Sequence, residues 1–284
     1  MPRILVLLAA ITLGLVACDG GGGQLATNTA TSGPTTTTVV RPVPVRQLDG
    51  PDTPRATAAV LRRVEPALAR GDGADDPTLG REQQLAYRAL AAHPDWVDRV
   101  VADVPAGVRD TVRANVAAGA ALGGLTGEAP AGFPAWEILV PQPSTTLRGH
   151  YDEAERASGV PWQYLAAIHL VETRVGRIRG LSSAGAQGPM QFIPATWEAH
   201  GEGDINDDRD AILAAGRYLA SRGAPTDMDR ALFSYNNDDR YVAAVRAYAD
   251  VLAAAPAAYD GYHQWQVFYA TVDGTFLLPE GWLG

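Results

Sequence analysis

From residue 53 onward, apolar residues recur every three or four positions, the spacing of an α-helix with one buried face. In TPRATAAVLRRVEPALAR the apolar set is Val60, Leu61, Val64 and Leu68, behind a Thr-Pro start that favours helix initiation. The same period runs from Arg81 to Leu125, with breaks at His93-Pro94 and Val104-Pro105. It lapses between Glu128 and Pro143, where four prolines make an irregular connector that Trp136 and Ile138 should pin to a core. It resumes at Ser144 as a helical hairpin, with Gly159 as terminator and Pro161 in the first turn of the second helix. That second helix carries Trp162, Leu165, Ile168 and Val171 with alanines between them, so it should be central and buried, with Gly176 closing it. Two or three more helices follow between Asp208 and Pro256, punctuated by Gly223 and a Tyr235-Asn236-Asn237 corner. The period then changes to two. Trp265, Val267 and Tyr269 alternate, Asp273-Gly274 marks a turn, and Phe276-Leu277-Leu278 completes a short β-hairpin.

The N-terminal end has a different pattern. Arg3 precedes an apolar run from Ile4 to Val16, shorter than the roughly 20 residues a membrane span needs but suited to a signal peptide. The run ends in Leu15-Val16-Ala17-Cys18, which resembles a bacterial lipobox and implies a lipidated Cys18. The next stretch, rich in Gly, Thr and Pro, buries too little to fold and should be a tether. The expected organisation is a signal peptide over 1–17, a lipidated cysteine and tether over 18–50, and a helical N-terminal region over 51–128. A catalytic domain follows over 129–255, then an aromatic hairpin over 256–284. The implied location is the bacterial cell envelope, lipid-anchored to the membrane and facing the wall, and a monomer is expected.

Composition narrows the chemistry. Cys18 is the sole cysteine, so no disulfide framework is possible. The 23 basic residues are all arginine; without lysine, P-loop and Schiff-base chemistry are excluded. A formal net charge of -9 argues against a nucleic-acid partner.

The candidate chemistry lies in VETRVGRIRGLSSAGAQGPMQFIPATW, Val171 to Trp197. Glu172 is its only carboxylate, at the end of the apolar helix, where burial should raise its pKa as a general acid requires. The alternative is an exposed glutamate paired with Arg174, Arg177 or Arg179. The glycine-rich loop that follows should expose backbone amides, with Ser182 and Gln191 offering hydrogen bonds and Met190 and Phe192 apolar walls. His169, one turn before Glu172, reads as a packed core histidine. The aromatic tail (Tyr259, Tyr262, Trp265, Phe268, Tyr269) reads as hairpin packing rather than a sugar platform.

These residues carry a resemblance. Glu172, then Ser182-x-x-Gly185-Ala186-x-Gly188-x-Met190-Gln191, then Tyr235-Asn236, is similar to the lytic transglycosylase signature, over about Tyr151 to Leu252. VETRVGR and GPMQFIPATW look closest to the membrane-bound B-type branch. The resemblance implies a mainly α, lysozyme-like domain, here with an N-terminal helical extension and the C-terminal β-hairpin. It implies non-hydrolytic cleavage of the MurNAc-β-1,4-GlcNAc bond of peptidoglycan strands to 1,6-anhydroMurNAc ends, with Glu172 as acid and then base and no cofactor. Ser182 would bond Glu172 or the substrate acetamido group, with Ser183 as its alternative. Met190 would be a wall and Gln191 would line the site and bind substrate, while Tyr235 would help orient Glu172 or the intermediate and Asn236 support the loop. A muramidase of lysozyme type and a non-catalytic wall-binding lipoprotein remain the rival readings. In the B-type branch a loop matching Glu198 to Asp210 can bind calcium. Here Glu198, Glu202, Asp204 and Asp210 approach that pattern, but a shortened frame and His200 make a solvated acidic loop the expectation, with no metal.

Overall fold

The computed structural model describes residues 42–46 and 50–284. The expected signal peptide, Cys18 and most of the tether lie outside the described residues.

Eleven α-helices form among the described residues, nine where the apolar period predicts helix and two short ones, over 194–200 and 259–263, where it predicts none. The first is α1 (Pro54–Arg70), opened by Thr53, whose side chain accepts from the Ala56 amide, and closed by Gly71 in the left-handed region at φ 94°. Next come α2 (Thr78–Ala92), α3 (Val97–Asp103) and α4 (Arg109–Gly123), with the caps His93 and Val104 standing at the two predicted proline breaks. The hairpin is α5 (Ser144–Ser158) and α6 (Trp162–Thr173), joined through Gly159 at φ 74°. Then follow α7 (Pro194–His200), α8 (Asp208–Ser221), α9 (Met228–Tyr235), α10 (Asp239–Ala254) and α11 (Tyr259–His263).

Every residue of α6 from Leu165 to Thr173 is buried, as expected of a helix apolar all round. It packs against α10, α5 and α8, while α4 lies along α10. One hydrophobic core runs from Ala58 in α1 to Trp265, so the N-terminal helices and the hairpin-bearing C-terminus share it. A smaller core gathers Trp136, Ile138, Ile178, Val267, Leu278 and Trp282, and this pins the proline-rich connector.

The strands bracket the helices. β1 (Val45–Arg46) pairs antiparallel with β5 (Gly274–Leu278), which pairs with β4 (Val267–Thr271) through the Asp273-Gly274 turn. β2 (Glu137–Ile138) pairs antiparallel with β3 (Ile178–Arg179). Two points differ from the sequence reading. Val45–Arg46, within the span expected as tether, docks on the free edge of β5 because an unpaired strand edge offers hydrogen bonds that two extended residues can take. Arg174, not Gly176, caps α6, at φ 54°.

Candidate active site

The site is built on the end of α6. After Thr173 the chain enters three consecutive left-handed residues, Arg174 (φ 54°), Val175 (φ 56°) and Gly176 (φ 83°). The Val175 amide donates to the His169 carbonyl across 3.1 Å, closing the helix. A β-branched residue is rare in this region and costs about 1–3 kcal/mol, so packing must hold Val175 there. It is completely buried. A side chain at Gly176 would sit 2.7 Å from Asp208 Oδ1, so only glycine completes the turn. Thr173 ties the turn to the next loop: its Oγ1 donates to the Pro189 carbonyl at 2.6 Å and accepts from the Gly176 amide at 3.0 Å.

The loop from Gly180 to Ile193 is internally bonded. Ser182 Oγ accepts from the amides of Ala186 (2.9 Å) and Ala184 (3.2 Å), and Gln187 and Phe192 form a bridge. The amides expected to face a ligand are thus turned inward to Ser182, and Ser182 builds the loop instead of bonding Glu172. Ser183 is exposed. At Gly188 a side chain would meet the Ile205 carbonyl at 2.0 Å. Gln191 is buried at φ 50°; its Nε2 donates to the Gly188 carbonyl, while its Oε1 has no partner among the described residues. Met190 is completely buried in the core rather than forming an open wall, and Phe192 packs edge-on to Trp197.

Glu172 is 1% exposed. Its Oε1 accepts a 2.8 Å hydrogen bond from the Tyr241 hydroxyl, and its Oε2 has no partner among the described residues. Burial pushes the carboxyl up to about 8, against the opposing pull of the Tyr241 bond. Tyr235 does not orient Glu172. Its hydroxyl donates to the Met190 carbonyl at 2.7 Å, and its ring lies 6.3 Å from that of Tyr241, 6° from parallel. Asn236 is buried at the α9–α10 corner, its backbone carbonyl accepting from the Asp238 amide. The structure therefore brings Glu172, Tyr235 and the Met190 carbonyl together around Tyr241, while the Gln191 amide bonds within its own loop. The sequence reading missed Tyr241 and Thr173. The signal for Tyr241 is periodic: it shares a buried stripe of α10 with Ala244, Val245 and Tyr248, and a buried tyrosine hydroxyl needs a partner.

The neighbouring charges are engaged elsewhere. Arg177 pairs with Glu280, Arg179 lies 3.8 Å from Glu137, and Arg174 donates to the Leu170 carbonyl. None pairs with Glu172. His169 turns away from Glu172: Nδ1 meets the Tyr151 hydroxyl at 2.8 Å, and Nε2 is 3.4 Å from Asp208 Oδ1. The acidic loop is structural. Asp210 accepts from the Asp204 amide, Asp207 caps α8, and Glu198 and Glu202 are exposed. Among the described residues no group of three or more His, Cys, Asp or Glu side chains is placed to hold a metal.

The sequence has known relatives. Residues 150–255 match the model of the Transglycosylase SLT domain. Over those residues the chain is similar to that domain. α6 to α10, the latter part of α5 and every residue of the Glu172 cluster fall within the match, while α1 to α4, α11 and the terminal hairpin lie outside. Two relatives are each named membrane-bound lytic murein transglycosylase F. One, from Thiobacillus denitrificans, is 34% identical over 41% of this chain and 28% of its own length. The other, from Nitrosospira multiformis, is 31% identical over 40% of this chain and 25% of its own length. The chain thus spans about a quarter of the length of the curated relatives it matches. Their names agree with the membrane-bound grouping expected from the sequence, under the letter F. No solved structure matches this chain.

Proposed function

We propose that this protein is a peptidoglycan lytic transglycosylase in which Glu172 is both acid and base. The observation that carries the reading is a buried carboxyl at the end of α6 whose pKa burial pushes up to about 8, one oxygen held by Tyr241 and the other without a partner among the described residues. Such a group is protonated at neutral pH and can give its proton to a glycosidic oxygen. The bond from that oxygen to the MurNAc anomeric carbon breaks, and the substrate's acetamido group stabilises the positive carbon. The Glu172 carboxylate then takes the proton from the MurNAc C6 hydroxyl, whose oxygen bonds the anomeric carbon and closes the 1,6-anhydro ring. The nucleophile is part of the substrate, so no second carboxylate is needed to hold water. Burial raises the Glu172 pKa and the Tyr241 bond opposes it.

Tyr241 holds the carboxylate formed after proton transfer, and Tyr235 holds the loop by its bond to Met190. Gln191, with a free carbonyl oxygen, is the substrate ligand, and Ser182 sets the loop that carries it. The names of the two relatives support a membrane location, and we place the anchor at Cys18. No helix among the described residues is long and apolar enough to cross a membrane. The test is digestion of purified cell walls with mass analysis of the new ends. Anhydro ends are expected; reducing MurNAc ends would make the protein a muramidase. Glu172→Gln that still digests walls would remove the acid–base role.

A further inference from the structure

Residues 205–208, where the chain enters α8, lie against the site at two glycines. A side chain at Gly176, in the turn after Glu172, would meet Asp208 Oδ1 at 2.7 Å and His169 Nε2 at 3.3 Å. A side chain at Gly188, in the loop that carries Gln191, would run into the Ile205 carbonyl. One short segment therefore backs both the turn and the loop. It belongs to the stretch whose sequence reads as a solvated acidic loop, yet the Asp208 side chain is only 15% exposed.

His169 links Asp208 to the helix that ends at Glu172. Its ring is completely buried, its Nδ1 meets the Tyr151 hydroxyl at 2.8 Å, and Tyr151 meets the Tyr259 hydroxyl at 3.1 Å. Its Nε2 has no hydrogen bond among the described residues and lies 3.4 Å from Asp208 Oδ1. The His169 carbonyl accepts from the Val175 amide, so the residue facing Asp208 also closes the helix beneath Glu172. A carboxylate facing Nε2 favours a proton there, which leaves Nδ1 to accept from Tyr151. Asp208 is also the outermost member of this set, since His169 is not exposed at all and Glu172 by 1%.

We propose that Asp208 is a positioning residue for Glu172, holding the turn through His169 and Gly176 and keeping water from the helix end. The proposal rests on Glu172 being the acid and gives Asp208 no contact with substrate. Without the Asp208 side chain, water reaches Gly176, and the burial that raises the Glu172 carboxyl is relieved. The titratable groups around His169 are Asp208, Tyr151, Tyr259 and His263, and those around Glu172 are Tyr241 and Tyr235.

The test is carboxyl carbon NMR of the full chain labelled at glutamate, with the Glu172 signal assigned by its loss in Glu172→Gln. The wild-type midpoint is expected near 8. Asp208→Ala should lower it by about one pH unit, and lower kcat for glycan digestion about tenfold with KM within about twofold. Asp208→Asn removes the charge but keeps an acceptor oxygen, and should return both to within about threefold of wild type. Asp207→Ala removes the α8 cap and should leave the midpoint in place. His169→Phe keeps the bulk of the ring and should lower the midpoint as alanine does, which decides the case if Asp208→Ala does not fold. The proposal is overturned by an unmoved midpoint in Asp208→Ala or His169→Phe, or by an equal shift in Asp208→Asn or Asp207→Ala. Digestion by Glu172→Gln would instead remove the acid–base reading; a moved midpoint would still support the role of Asp208 in the turn, and an unmoved one would still overturn it.

Discussion

Two glutamates are buried in this molecule and they are served very differently. Glu65, in α1, is 3% exposed; its Oε1 accepts from both Tyr87 and Gln83. Glu172, in α6, is 1% exposed and holds one tyrosine bond and one oxygen without a partner. Burial raises both pKa values, so desolvation alone does not distinguish them. Hydrogen bonding does. A carboxyl enclosed by donors is fixed in place, whereas one with a vacant oxygen can exchange a proton with something that enters.

The largest expected effect sharpens this contrast. Glu172→Gln should lower wall digestion at least about 100-fold, the lower range for a lost general acid, with the fold intact. Glu65→Gln keeps an acceptor for Tyr87 and Gln83 and should change digestion by less than about threefold. Equal losses in both variants would erase the distinction.

Digestion rate against pH is the second measure. The proposed reaction uses the acid form of Glu172, so the rate should fall as pH rises through about 8. The Tyr241 bond favours the carboxylate and lowers the pKa, so Tyr241→Phe should move that limb upward and cost about tenfold at the optimum. A limb that stays in place would mean Tyr241 does not act on the titrating group.

Stability gives a third. The Glu172 pKa is 4.5 as an ordinary glutamate and about 8 when folded. The unfolded chain therefore ionises first, and stability is lost as pH rises between those values, by at most about 1.4 kcal/mol per pH unit. Glu172→Gln has no such group, so denaturant melts should show its advantage over the wild type growing from pH 5 to 8. Removing the other acid by Glu65→Ala should cost about 2–3 kcal/mol at pH 7, because Tyr87 and Gln83 lose their buried acceptor.

Much of the fold and part of the site are legible in the sequence, for physical reasons that differ by residue. The helices show because Leu165, Ile168 and Val171 repeat at a period that only a helix satisfies. The burial of Glu172 follows from the same stripe. Tyr241 does not show as its partner, since 69 residues of chain separate them and only tertiary packing brings them together. Ser182 reads equally well as a ligand or a turn former, because one hydroxyl serves either role. Val175 gives no warning, as its left-handed conformation is imposed by burial against its own preference. β1, β2 and β3 are two residues long, too short to show any alternation.

The pairing of Val45–Arg46 with Leu277 and Phe276 also decides how the molecule bears mechanical load. A pull on the chain from its N-terminal side reaches this rung before it reaches α1. The first structure to yield is then a two-residue strand at the rim of the sheet, while α6 and Glu172 stay under no tension until that rung has parted.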